Sequence, residues 1–265
     1  MDAGVGVIVA FAALMIATVL EGGSPAAFAS PSAALIIFGG TFGATMAAFS
    51  VKEFKRLPKL VGLAMKPRLS DTGEMRTQLI QFAERARRDG LLALEGDADK
   101  VSDPFVRRGL QMVIDGLEPD TVEEVLDLEI DATAARHMKG IQMLAAAGGY
   151  SPTMGVIGTV MGLVNVLGHL DDPSRLGESI ATAFIATLIG VGMANIVWLP
   201  LSVNLKNKDA SETAEHRMAL VAILSIQAGD NPRIVAQKLQ SFVGREPAEA
   251  KAGSGDTAQV EEEAA

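Results

Sequence analysis

The sequence predicts an all-α integral membrane protein, with four transmembrane helices, a helical cytoplasmic domain between the second and third, and a cytoplasmic C-terminal helix. Three observations carry this. Apolar residues fill 49% of 265 positions with a mean hydropathy of +0.28, more than a water-soluble chain of this size carries. Residues 3–20, 22–51, 140–170 and 179–205 contain no Asp, Glu, Lys or Arg. Each stretch can hold the roughly 20 residues with which a helix crosses a bilayer at about 1.5 Å per residue. No period-2 alternation long enough for a strand appears.

The first stretch has only Asp2 ahead of it and no basic n-region, so it reads as a retained span rather than a signal peptide. The second is followed at once by Lys52, Lys55, Arg56 and Lys59. In the ninety or so residues that follow, Asp71 and Glu74 offer an N-terminal cap for a helix through Leu79, Ile80, Phe82 and Ala83, interrupted at Gly90. Ser102-Asp-Pro opens a second helix with Phe105, Leu110, Met112 and Val113 on its apolar side. Glu118-Pro-Asp120 ends it and caps a third through Val122, Val125, Leu128 and Ile130. Beyond the fourth span an amphipathic helix continues to about Gln227, breaks at Gly229-Asp-Asn-Pro232 and is followed by a short helix to Val243. The expected divisions are 1–51 (spans one and two), 52–139 (cytoplasmic domain), 140–205 (spans three and four), 206–243 (C-terminal helices) and 244–265, an acidic tail with too little to bury and therefore disordered.

Lys and Arg set the orientation. Residues 52–139 hold 15 of the 23, the segment after Leu205 holds seven, and only Arg175 falls in a short connection between spans. By the positive-inside rule both termini and the middle domain are cytoplasmic. The composition also excludes chemistry. With no Cys and only His137, His169 and His216, far apart in sequence, no metal site or cofactor is expected, and the apolar content argues against a water-soluble enzyme. A formal charge of −9 argues against nucleic acid as a partner.

The third and fourth spans are not plain anchors. Gly155, Thr159 and Gly162 fall at i, i+4 and i+7, and Ala183, Thr187, Gly190 and Ala194 repeat that geometry: two small-residue stripes, each with one hydroxyl. Either each Thr bonds its own i−4 carbonyl, or the stripes face each other and share a polar path. Pro152 and Pro200 lie at the cytoplasmic ends of these spans, as helix terminators or as a pair of hinges. None of the spans contains a carboxylate. If the protein moves protons or sodium, the titrating acid must come from another chain.

These residues resemble the MotA-type stator subunit of the bacterial flagellar motor, within the MotA/TolQ/ExbB proton-channel group. The likeness covers nearly the whole chain and is carried by Ala86-Arg-Arg-Asp-Gly-Leu-Leu-Ala-Leu-Glu95, by Asp103-Pro-Phe-Val with Asp115-Gly and the acidic run Glu123-Glu-Val-Leu-Asp127, by Ser151-Pro-Thr-Met-Gly-Val-Ile-Gly-Thr-Val-Met-Gly162, and by Ile226-Gln-Ala-Gly-Asp-Asn-Pro-Arg233. The resemblance implies that five A subunits surround two MotB-like B subunits, whose single span supplies the ion-carrying Asp, and that ion flow drives the ring against the rotor.

Position by position it implies that Arg87 and Glu95 engage the rotor protein FliG, that Pro152 and Pro200 couple flux to movement, and that Thr187 is the ion-path hydroxyl of span four. Thr159 matches a position resembling that of sodium-type stators, and two hydroxyls per subunit favour Na⁺ over H⁺ as the transported cation, since a metal ion needs oxygen ligands in place of its water. Without the resemblance, Arg87 and Glu95 read as solvated surface, and the neighbouring Arg85 and Arg88 compete for the rotor role. The alternatives are a TolQ/ExbB-like energiser of an envelope process, which has one span ahead of its cytoplasmic segment where this chain has two, and a non-conducting membrane scaffold.

Overall fold

The computed structural model describes residues 3–67, 72–168 and 173–242, and all their regular structure is helical. In chain order the main helices are α1 (Ala3–Leu20), α2 (Pro31–Ala48), α3 (Leu57–Met65), α4 (Thr72–Asp89), α5 (Pro104–Ile114), α6 (Pro119–Leu167), α7 (Pro173–Met193), α8 (Leu199–Gln227) and α9 (Pro232–Gln240). Four helices are long and apolar enough to cross a membrane, falling within Ala3–Leu20, Pro31–Ala48, Pro119–Leu167 and Ser179–Gln227. Asp71, expected to cap α4, lies outside the described residues, as does the tail from 243 onward.

The chain divides into two compact units, residues 1–69 with 133–211 and residues 70–132 with 212–265. The first contains the four spans. Its core joins Leu57, Ala64, Ile141, Met143, Leu144, Ala147, Trp198, Leu201 and Leu205, with Phe42 edge-on to both Trp198 and Phe54 at 6.0 Å. α1 buries no residue, consistent with a helix that faces lipid. α3 buries Leu57 and Ala64, and its C-terminal carbonyls are held by Lys208, whose Nζ donates to Leu63 at 2.8 Å and Lys66 at 2.6 Å.

The second unit is a helical domain with its own core of Leu79, Phe82, Leu94, Phe105, Leu110, Leu126, Met218, Ile223 and Leu239. The starts of its helices follow the sequence signals. Asp103 Oδ1 accepts from the Phe105 and Val106 amides at 2.8 and 3.2 Å with Pro104 at the first helical position, and Asn231 Oδ1 accepts from the Arg233 amide at 3.0 Å ahead of α9. Gly90 ends α4 at φ +84°, a conformation that only glycine adopts without strain. At Gly109 α5 comes so close to α6 and α8 that a Cβ would lie 2.5 Å from Ile223 Cδ1 and 3.0 Å from Leu126 Cδ1.

Two features differ from the sequence reading. The third cytoplasmic helix and the third span are one helix of 49 residues, α6, because the Ala-rich stretch that joins them contains no breaker. Neither proline terminates a helix. Pro152 lies inside α6, three residues after Gly148-Gly149, and Pro200 follows a π-helical turn, Ala194–Trp198, that links α7 to α8. At Pro200 the preceding π-turn shifts the hydrogen-bond ladder by one residue, so the helix runs past the missing N–H.

Candidate ion path and rotor-facing charges

The two small-residue stripes face each other. A Cβ at Gly155 would lie 3.0 Å from the Ala186 carbonyl oxygen and from Thr187 Cα, one at Gly162 2.6 Å from Ala183 Cβ, and one at Gly190 2.7 Å from the Ser151 carbonyl oxygen. α6 and α7 thus touch backbone to backbone, as apposed small residues allow. Within this seam Thr159 Oγ1 reaches the Ala183 carbonyl at 2.9 Å across the interface and the Gly155 carbonyl at 3.2 Å on its own helix. Thr187 Oγ1 reaches the same Gly155 carbonyl at 3.3 Å, and the two hydroxyls contact each other. The stripes do face each other, and within them Thr159 both bonds back to its i−4 carbonyl and pairs across the helices. Each hydroxyl has one hydrogen and several acceptors, and each Thr is only half-buried. Their oxygens can turn between protein carbonyls and a passing ligand.

Below this pair lies Ser151, fully buried, whose hydroxyl donates to the Gly190 carbonyl at 2.8 Å. It ties the residue beside Pro152 to α7 one turn before the π-turn that precedes the exposed Pro200. On the other side of the Thr pair Ser32, Asn165, Ser179 and Thr182 join Ile36, Gly158, Gly162 and Ala183 around a cavity of about 440 Å³. Sequence reasoning named Ser151 only as the first residue of a motif and did not single out Ser32, Asn165, Ser179 or Thr182. Their only signal was a polar side chain inside a charge-free stretch.

In the second unit α4 carries Arg85, Arg87 and Arg88 to the Gly90 turn, and Glu95 and Asp97 follow a 3₁₀ turn anchored by the fully buried Leu94. Arg85 pairs with Asp97, which also meets Lys100 at 3.6 Å, and Arg88 pairs with Asp89 at 3.1 Å. The Arg88 hydrogen bond holds the Asp89 carboxyl below its usual range. Arg87 and Glu95 are exposed and have no ion pair among the described residues. The cluster therefore separates into internally paired arginines on one hand and an unpaired arginine and an unpaired glutamate on the other.

A second charged centre tightens α5 against α8. His216 stacks on Phe105 with ring centroids 4.4 Å apart, and its Nε2 lies 3.7 Å from Asp103 Oδ2, an ion-pair rather than a hydrogen-bond separation. Burial pulls the imidazolium pKa down, but Asp103, with Glu212 and Glu129 behind it, outweighs burial and raises it.

No group of three His, Cys, Asp or Glu with metal-holding geometry occurs among the described residues. Residues 97–218 match the MotA/TolQ/ExbB proton channel family, and residues 4–90 match the motility protein A N-terminal domain. The chain belongs to the MotA/TolQ/ExbB proton channel family. Motility protein A of Bacillus subtilis (strain 168) is 37% identical over 90% of this chain and 89% of its own length. Chemotaxis protein PomA of Vibrio alginolyticus is 32% identical over 90% and 92%. Among solved structures, the flagellar MotAB stator complex of Bacillus subtilis superposes with a TM-score of 0.85 at 37% identity, covering 92% of this chain and 95% of that one. The C. jejuni MotAB structure gives 0.88 at 29% identity, covering 93% and 98%. Within this family the two apolar helices that precede the second unit, and the match to the motility protein A N-terminal model, set the chain apart from the TolQ/ExbB alternative.

Proposed function

We infer that this chain is the A-type stator subunit of a bacterial flagellar motor. With a MotB-like subunit it forms a cation channel in the inner membrane that converts ion-motive force into torque. The observation that carries this reading is whole-length likeness to a MotAB stator at 37% identity, with four spans that hold two apposed hydroxyls and no acid. The missing carboxylate belongs to the B-type span. The A subunit offers Thr159 and Thr187 as oxygen ligands beside it, and two hydroxyls per subunit suit a dehydrating Na⁺ better than a proton relayed through water.

Thr187 and Thr159 line the ion path, Pro152 and Pro200 transmit its occupancy to the cytoplasmic domain, and Arg87 and Glu95 meet FliG. The freedom of these two charges from internal pairing supports that choice over Arg85 and Arg88. The ring is a pentamer around two B subunits, with both termini in the cytoplasm. The test is complementation: in a strain lacking its A subunit, this chain expressed with its B-type partner restores spreading in soft agar. Failure to restore it with the cognate partner and rotor present contradicts the reading.

A further inference from the structure

Residues 51–66 carry Lys52, Lys55, Arg56, Lys59 and Lys66 against one acid, Glu53, in a chain whose net charge is −9. Lys52 lies on the helical turn Val51–Phe54, Lys55 and Arg56 in the turn that follows and Lys59 in the first turn of α3, so four basic residues crowd into eight positions. Most of the apolar side chains of α3 are committed to protein. Leu57 is 5% exposed and Ala64 is fully buried, and Leu60 and Val61 pack beside them on the core of Ile141, Leu144, Trp198 and Leu201. The four basic residues are exposed, and none has an ion pair among the described residues.

The one acid does not neutralise them. The Glu53 carboxylate accepts from the Ser50 hydroxyl at 2.9 Å and the Ser50 amide at 3.2 Å in a capping box, and its nearest cation is Lys139 at 3.8 Å. The segment begins three residues after α2 ends at Ala48, so it lies at headgroup depth. Exposed Val51, Leu63 and Met65 accompany the basic groups, and Lys208 fixes the C-terminal end of α3. An unpaired basic patch with apolar side chains at the bilayer surface is complementary to anionic headgroups above acyl chains.

We propose that the patch formed by Lys52, Lys55, Arg56 and Lys59 is a docking surface for anionic phospholipids, which it selects from the neutral lipids around the second span. The proposal rests on the membrane-spanning reading alone and is independent of whether the chain drives a flagellum.

The experiment uses the full-length chain purified into phosphatidylcholine bilayers, with spin-labelled phosphatidylglycerol compared with spin-labelled phosphatidylcholine as the probe. Wild type should bind the anionic lipid roughly threefold or more in preference, with the preference fading as salt is raised. The quadruple variant Lys52→Gln/Lys55→Gln/Arg56→Gln/Lys59→Gln should bring the ratio close to one, whereas Lys52→Arg/Lys55→Arg/Lys59→Arg should keep it. If the quadruple variant does not insert, Lys55→Gln and Lys59→Gln singly should each lower the ratio. Equal binding of the two lipids by wild type, a ratio unchanged in the Gln variants, or displacement of the lipid by glycerol phosphate at matched ionic strength would overturn the proposal. Failed complementation of motility would leave the ratio untouched.

Discussion

The hydroxyls of Thr159 and Thr187 meet across the α6–α7 seam, and both reach the Gly155 carbonyl oxygen. A pair of half-buried oxygens around one carbonyl makes a small site whose ligands exchange by bond rotation, without movement of either helix. Removing one should hurt conduction more than folding. Thr187→Ala, assayed with the B-type partner, should lower ion flux and motility by roughly an order of magnitude, while Thr187→Ser keeps most of both. Thr187→Ala with wild-type flux would show that the hydroxyl only packs.

The seam also predicts which glycines are irreplaceable. Gly190→Ala drives a Cβ to 2.7 Å from the Ser151 carbonyl, and that backbone cannot retreat without breaking the hydroxyl bond to residue 190. Separation of α6 and α7 should cost about 1–3 kcal/mol and remove motility. Gly192→Ala, with nothing within 4 Å, should be tolerated. Thermal denaturation in detergent ranks the two variants, and equal stability would contradict the packing.

Charge reversal separates rotor contact from internal pairing. Arg87→Glu and Glu95→Lys should impair motility while leaving ion flux intact and stability within about 0.5 kcal/mol, since neither side chain is paired or buried. Arg85→Glu instead breaks the pair with Asp97 and should cost about 1 kcal/mol. A compensating reversal on the rotor should restore part of the Arg87→Glu defect and none of the Arg85→Glu stability loss. Wild-type motility in both Arg87→Glu and Glu95→Lys returns these residues to plain surface.

The Asp103–His216 pair gives the second unit a pH dependence. The His216 pKa is raised on folding, so its stabilisation is fully present below the unfolded value of about 6.5 and is lost as pH rises through the folded pKa. The Asp103 carboxyl is held low by His216 and by the Val106 and Phe105 amides, so its contribution is lost only as pH falls through that depressed value in acid. Amide exchange at Phe105 and Val106 should therefore speed up, relative to the ordinary base catalysis of exchange, as pH rises through the raised His216 pKa. His216→Gln should remove that step, and an identical pH profile in the variant would refute the linkage.

Orientation is read by labelling. Cysteine placed at Ser24 should react with an impermeant reagent from outside, and at Ser102 only after permeabilisation. Both serines are exposed in the fold. External labelling at residue 102 would invert the topology and with it the rotor assignment.

The spans were legible because charge is costly in a bilayer, and α1 ends where its charge-free run ends. The facing stripes were legible in outline, since i, i+4, i+7 spacing places Gly155, Thr159 and Gly162 on one side of a helix. Their hydrogen bonds were not, because these depend on the register in which α7 lies against α6. The free arginine was likewise hidden: Arg85 is occupied by Asp97, twelve positions away across the Gly90 turn. The π-turns have no residue signature at all. Pro200 therefore stayed open between a terminator and a hinge, whereas the Ala194–Trp198 turn lets the helix pass.

The measurement that bears most directly on the Thr159–Thr187 pair as a cation path is flux into vesicles containing this chain and its B-type partner, followed against Na⁺ concentration at constant pH and ionic strength. Wild type should show saturable Na⁺-dependent flux, Thr159→Ala should weaken that dependence, and the chain without its partner should be ion-tight. Flux indifferent to Na⁺ and abolished by a protonophore, or cation flux through the A subunit alone, would contradict it.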